Sequence, residues 1–241
     1  MNEEAKNSEA AEQYVLTVVA RIRSDFKTKF GIPRQSGLID ALTAEVVFEP
    51  EFRNVDALRG IEGFSHLWLI WQFSAAVGRS WSPTVRPPRL GGNTRMGVFA
   101  TRSPFRPNAL GLSCVRLLGV CREQERGHVL HVAGADLMDG TPIYDIKPYI
   151  PYADCHPEAS GGFADQTPRR LLRVDFPREW LCRVPENKRA ALRAVLENDP
   201  RPSYQHDAGR VYGFVFAGCE VRFTVDGEIL TVRSVESGDG K

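Results

Sequence analysis

Residues 86–117 read RPPRLGGNTRMGVFATRSPFRPNALGLSCVRL, and the punctuation of this stretch bears most directly on the fold. Prolines at 87, 88, 104 and 107 and the Gly91-Gly92 pair break it into pieces too short for a helix of several turns. Arg95–Thr101 and Leu110–Val120 between them read as strands. Gly91-Gly92 follows prolines rather than a strand and opens no helix, so the strand, G-x-G-x-x-G turn and helix of a dinucleotide-binding fold are absent. G-x-S-x-G, H-E-x-x-H and the phosphate-binding P-loop are absent too, which removes the hydrolase, zinc-protease and NTPase readings that depend on them.

Widening the window to Arg79–Arg122 exposes a charge asymmetry. It holds eight arginines (Arg79, Arg86, Arg89, Arg95, Arg102, Arg106, Arg116, Arg122) and no lysine, aspartate or glutamate. The whole chain of 241 residues has a formal net charge of +1, so the rest of it is correspondingly acidic. Arginine used without lysine favours planar, bidentate recognition of phosphate or carboxylate, and stacking. The alternative is a set of arginines on solvated strand faces or paired with distant acids.

Further out, Tyr14–Ile22, Glu45–Phe48, His66–Phe73 and His128–Ala135 are β-branched or aromatic runs that read as strands, and short strands separated by Pro/Gly turns predict a β-barrel-like domain over 14–155. Trp68 and Trp71, three apart on one strand, face opposite sides, so at least one is core. Residues 1–13 are polar and predict a disordered arm, and 156–170, rich in small and turn-forming residues, predict a linker. Beyond it, Ala191, Leu192, Val195 and Leu196 recur at helical spacing within Asn187–Asn198. Val211–Ala217, Val221–Val225 and Ile229–Val235, with a turn signal at Asp226-Gly227, complete a small α+β domain over 171–241. The expected class is therefore mainly β. Five scattered cysteines without metal-ligand spacing predict neither disulfides nor structural zinc. With no apolar run of membrane length and an acidic, polar N-terminus, the expected location is cytoplasmic.

Four blocks carry the functional signal: FGIPRQSGL (30–38), LRGIEGFSHLWLIWQF (58–73), the 86–117 block, and DLMDGTPIYDIKPYIPYAD (136–154), with NDPRPSY (198–204) as a fifth. The Pro33-Arg34-Gln35-Ser36-Gly37 loop joins proline rigidity to a permissive glycine, so that backbone donors and the Arg34 fork can approach a ligand. In TRSPFRPN, Pro104 and Pro107 stiffen a loop that projects Arg102, Arg106 and Asn108 beside the apolar face of Phe105. The DGTP turn, Asp139 to Pro142, frees backbone groups for a ligand. Asp136 is read either as part of that group or as a strand-end acid paired with an arginine, and His66 as a core or edge histidine.

Together these blocks resemble the TrmO (YaeB, TsaA-like) family of tRNA methyltransferases over the chain from about Tyr14 to its end. The resemblance implies a β-barrel-like, non-Rossmann enzyme and a homodimer. It implies that S-adenosylmethionine is the donor and that N6 of N6-threonylcarbamoyladenosine at position 37 of threonine tRNA is the acceptor. It implies donor contacts at Pro33, Arg34, Gln35, Ser36, Gly37, Ser74, Arg102, Leu112, Asp139, Gly140, Thr141 and Pro142. Arg102 is the expected catalytic residue, with Asp139 or Tyr149 as candidate base. Arg86, Arg89, Arg95, Arg106, Arg201 and Tyr204 are the expected RNA contacts. No metal is expected, and the competing reading is a non-enzymatic S-adenosylmethionine- or RNA-binding module.

Overall fold

The computed structural model describes residues 12–166, 170–201 and 207–238. Its strands are β1 (Ala20–Arg23), β2 (Thr43–Phe48), β3 (His66–Gln72), β4 (Thr84–Val85), β5 (Met96–Gly97), β6 (Leu110–Glu123), β7 (Gly127–Ala133), β8 (Pro142–Pro148), β9 (Arg173–Asp175), β10 (Tyr212–Phe216), β11 (Cys219–Asp226) and β12 (Ile229–Ser237). The helices are α1 (Pro151–Asp154), α2 (Arg178–Leu181) and α3 (Glu186–Glu197).

Six strands form a ring in the order β1-β2-β7-β6-β3-β8. It closes through a seam of two residue pairs, Ala20 with Ile143 and Arg21 with Pro142. Alternation explains the packing. Along β3, Leu67, Leu69 and Trp71 point inward while His66, Trp68, Ile70 and Gln72 point out, and Leu67 and Leu69 join Ala20, Ile22, Val46, Val115, Leu130, Val132 and Ile143 in one core. The expected opposition of Trp68 and Trp71 is observed.

Two strand expectations shrink. Tyr14–Val18 has strand composition but no partner strand, and Val15 is 98% exposed; backbone pairing begins at Val19, whose amide donates to the Ile143 carbonyl at 2.9 Å and whose carbonyl accepts from the Glu49 amide at 3.0 Å. Arg95–Thr101 yields only the two-residue β5, paired with β4, because Val98–Ala100 curls into a 3-10 turn whose Val98 amide donates to the Pro83 carbonyl. The expected arm at 1–13 falls almost wholly, and the linker residues 167–169 wholly, outside the described residues.

The second unit is a four-stranded sheet, β10-β11-β12-β9, covered by α3. Ala191, Leu192, Val195 and Leu196 of α3 are buried on it, as the spacing predicts. Its core also takes in Phe26, Ile39 and Leu42 from the segment between β1 and β2. Phe26 meets Phe216 edge-on at 5.3 Å, and Lys188 pairs with Asp25 at 2.6 Å. Gly31, at φ +91°, lies so close to Phe214 that an added Cβ would fall 2.7 Å from the ring. Each large apolar side chain buried this way stabilises by roughly 1.5–3 kcal/mol, so the 24–42 segment is held to the second unit while its next residues reach the barrel mouth. None of the helices among the described residues is long and apolar enough to cross a membrane.

Candidate active site

A cavity of about 910 Å³ opens where the end of β3, the start of β6, the 32–35 loop and the 99–108 loop converge. Its floor is a hydrogen-bonded relay. Trp71, 6% exposed, donates from Nε1 to Ser113 Oγ at 2.9 Å, and Ser113 Oγ donates to Asp136 Oδ1 at 2.6 Å. Gly111 makes this possible, because a Cβ there would lie 2.3 Å from the Trp71 ring.

Among the described residues, Asp136 is the one carboxylate lining the cavity, against five cationic side chains: Lys29, Arg34, Arg79, Arg102 and Arg106. Burial pushes the Asp136 carboxyl pKa up, partly offset by the Ser113 hydroxyl, the Ser36 backbone amide and the charge of Arg102. Arg102 donates to Gln35 Oε1, which ties the 99–108 loop to the 33–37 loop. Arg106 braces its own turn by donating to the Thr101 carbonyl at 3.1 Å, and the Arg79 guanidinium sits 5.9 Å from the Phe105 ring centre. The walls are apolar and aromatic: Phe73, Phe105, Leu112 and Phe99, the last 75% exposed at the rim.

The 33–37 loop is pinned at its far end. Gly37 donates to the Gly134 carbonyl at 2.8 Å, and Ser36 Oγ accepts from the Cys114 amide at 3.1 Å. At Gly134, φ +78°, a Cβ would crowd the Gly37 backbone at 3.1 Å, so glycine is required for this approach. Pro33, Arg34 and Gln35 consequently face the cavity while Ser36 and Gly37 anchor.

Two family models match the chain: the tRNA-methyltransferase O N-terminal domain over residues 21–155 and the TrmO C-terminal domain over residues 170–238. The chain belongs to the TrmO family. It is 42% identical over 212 residues to the tRNA (adenine(37)-N6)-methyltransferase of Escherichia coli K12, covering 85% of this chain and 90% of that protein. It is 40% identical over 230 residues to a Pseudomonas aeruginosa protein named as a putative S-adenosylmethionine-dependent methyltransferase, covering 92% of this chain and 97% of that one. The crystal structure of TrmO from P. aeruginosa superposes with a TM-score of 0.76 at 34% identity, covering 95% of this chain and all of that one.

Within this TrmO-family site, the cavity brings together Pro33, Arg34, Gln35, Ser74, Arg102, Leu112 and Thr141 of the expected donor residues. The DGTP turn splits. Thr141 is buried and donates to the Met138 carbonyl at 2.7 Å on the cavity side. Asp139 turns the other way, accepting from the Ser24 amide at 3.1 Å and pairing with Lys27 at 2.6 Å, beside a second, polar cavity of about 430 Å³. Gly140 caps β1 by donating to the Ile22 carbonyl, and Pro142 opens β8.

Tyr149 lies outside the cavity against His66 and Trp68, and desolvation together with the Cys155 and Cys114 thiols pushes its phenol pKa up. A phenol already holds its proton at neutral pH, and an upward shift moves it still further from the range in which a base works, whereas the same shift brings a carboxyl closer to it.

Of the expected RNA contacts, Arg86 is exposed, Arg95 donates to Thr84 Oγ1 at 2.9 Å, Arg89 to the Ala164 carbonyl at 3.1 Å, and Arg106 lines the cavity itself. Arg86, Arg95, Arg102 and Arg106 have no carboxylate within ion-pair distance among the described residues. Arg201 is only 8% exposed and held by Asp199, so its charge is spent inside the fold; Tyr204 lies outside the described residues.

Sequence reasoning passed over Trp71, Gly111 and Ser113 as members of the site and left the role of Asp136 open. An interior serine two residues after a glycine, the glycine lying opposite an interior tryptophan, was the available signal. Beside the second cavity, Glu45, Glu123 and His131 bring ligand atoms within 4.8 Å of one another. Arg126, however, donates to Glu45 at 2.7 Å and to Glu123 at 2.6 and 2.8 Å, so a fixed cation already occupies that cluster.

Proposed function

We propose that this chain methylates N6 of N6-threonylcarbamoyladenosine at position 37 of threonine tRNA, with S-adenosylmethionine as donor bound in the cavity floored by Asp136 and walled by Arg102. The observation that carries this is the pairing of one desolvated carboxylate with several arginines and an aromatic wall in a cavity of about 910 Å³. That size is at the upper end of small-molecule sites, roughly 300–1,000 Å³. The donor combines a sulfonium cation, a carboxylate, an amine, a ribose and an adenine, and the lining offers a counterpart to each kind of group: Asp136 to the cations, Arg34 or Arg102 to the carboxylate, and Phe73, Phe105 and Leu112 to the apolar face of the base. When bound, the donor supplies an electrophilic methyl group.

The residues do the rest. Linking the 33–37 and 99–108 loops through Gln35 and Arg102 fixes both walls, which is where positioning contributes to rate. The acceptor N6 has its lone pair delocalised into the purine and the carbamoyl group, so its proton must leave during or after attack. Asp136, not Asp139 or Tyr149, is the acceptor for that proton: it lines the cavity, and its raised pKa makes it the stronger base. The exposed Phe99 and the arginines Arg86, Arg89, Arg95 and Arg106 form the face offered to the anticodon loop, whose unstacked bases stack on aromatic rings and whose phosphates seek guanidinium. The homodimer implied by the resemblance belongs to the same proposal; Leu118 and Tyr152, exposed in the single chain, supply apolar surface for it.

The test is methyl transfer from labelled donor to threonine tRNA with and without the threonylcarbamoyl group. We expect label only on the modified tRNA, at position 37, with a rate at limiting tRNA that falls as salt rises. Equal labelling of both tRNAs would refute the acceptor assignment; donor binding without transfer would favour the non-enzymatic module.

A further inference from the structure

The NDPRPSY segment lies in the second unit, yet its Arg201 turns inward rather than toward solvent. Helix α3 ends at Glu197 with Asn198 as its C-cap, and Asp199 follows in the left-handed conformation, φ +50°, which asparagine and aspartate tolerate better than most residues; Pro200 then prevents the helix from resuming. That stop turns the Asp199 carboxylate back onto the chain. It accepts from Arg201 Nε at 2.8 Å and Arg201 Nη2 at 2.9 Å, a two-point grip, and from the Arg201 amide at 3.3 Å. The gripped residue presents its carbonyl to the barrel mouth, where Arg34 Nη2 donates to it at 3.1 Å. Asp199 also exerts a direct electrostatic pull on Arg34, and Arg34 lines the cavity.

We infer that Asp199 and Arg201 are positioning residues: they lock the Arg201 carbonyl in place so that Arg34 is held in the conformation that contacts the ligand in the cavity, and the second unit thereby completes a site on the first. Without the grip, Arg34 would swing freely on four rotatable bonds, losing the preorganisation that a bidentate arginine contact needs. Where the ligand is concerned, this rests on the proposed donor site, but the grip itself acts in the ligand-free protein and is measurable there.

The test uses the full-length chain labelled with 15N-arginine, the Arg34 guanidinium signal being assigned by its loss in Arg34→Lys. The wild type should show a hindered, slowly exchanging Arg34 guanidinium that becomes freely rotating in Asp199→Asn, a substitution that keeps tolerance of the left-handed backbone while removing the charge. An Arg34 signal unchanged in Asp199→Asn overturns the inference. Should Asp199→Asn fail to fold, Arg201→Lys, which keeps charge and abolishes the two-point grip, decides by the same comparison. Calorimetry then adds a cycle with S-adenosylmethionine as probe. Asp199→Asn should weaken binding by about fivefold to tenfold in the wild type and have no further effect on Arg34→Ala, because coupled residues are non-additive. Equal losses in both backgrounds overturn the link to the site. Absence of donor binding by the wild type itself would count against the donor assignment, and the guanidinium signal would still decide the grip.

Discussion

Asp136 is caught between opposed effects. Desolvation favours its neutral form, while the Ser113 hydroxyl, the Ser36 amide and Arg102 favour the carboxylate, and desolvation wins. A carboxyl with a raised folded-state pKa binds more protons folded than unfolded in the range between the two values, so its contribution to stability falls as pH rises through that range, and above it the charged form carries a constant penalty. Two consequences follow for Asp136→Asn. It should be at least as stable as the wild type at neutral pH, by thermal melting, and slower in methyl transfer by about 100-fold or more. The wild-type kcat/KM profile should rise with pH on an acidic limb lying above the ordinary aspartate range, and Asp136→Asn should lack that limb; an unchanged limb would assign the base elsewhere. None of this was visible in the residue string, where Asp136, Asp139 and Asp145 are alike. Their difference lies in where the backbone points each one: Asp139 in its turn goes to Lys27, Asp145 within β8 to Lys147, and Asp136 to the cavity.

Strands β3 and β6 meet at the cavity in a register that pairs Trp71 with Gly111 and Leu69 with Ser113. The missing side chain at Gly111 lets the Trp71 indole lie flat against the β6 backbone and reach Ser113. Gly111→Ala should therefore push Trp71 away and break the path to Asp136, destabilising the protein by about 1–3 kcal/mol and weakening donor binding. A variant that melts and binds like the wild type would show that the relay does not shape the site. Periodicity made helix α3 and strands β3, β6 and β7 legible, because each buries one face of a regular repeat. It misjudged Tyr14–Val18, which finds no partner strand, and Arg95–Thr101, where pairing with β4 stops after Met96-Gly97 and the chain curls into a 3-10 turn. The 33–37 loop was legible as a ligand loop from Pro33 and Gly37, but its anchor at Gly134, 97 residues from Gly37 in a tight glycine-to-glycine contact, was not.

For the molecule as a whole, the sequence carried the division of labour well: an arginine-rich barrel segment and a smaller helix-and-sheet unit. Composition could not reveal that the segment between β1 and β2 lends Phe26, Ile39 and Leu42 to the core of the second unit, or that Arg201 faces inward to Arg34, since both depend on how the 24–42 segment crosses between the units. The positive segment keeps its field because arginines such as Arg95, Arg102 and Arg106 donate to neutral acceptors, leaving their charge available to an anionic partner. All of the functional account nevertheless depends on what fills the larger cavity. Titration calorimetry of the folded chain with S-adenosylmethionine measures that directly. The account predicts saturable uptake of one donor per chain, weakened about tenfold or more in Arg102→Ala with the fold intact; a folded wild-type chain that takes up no donor would contradict it.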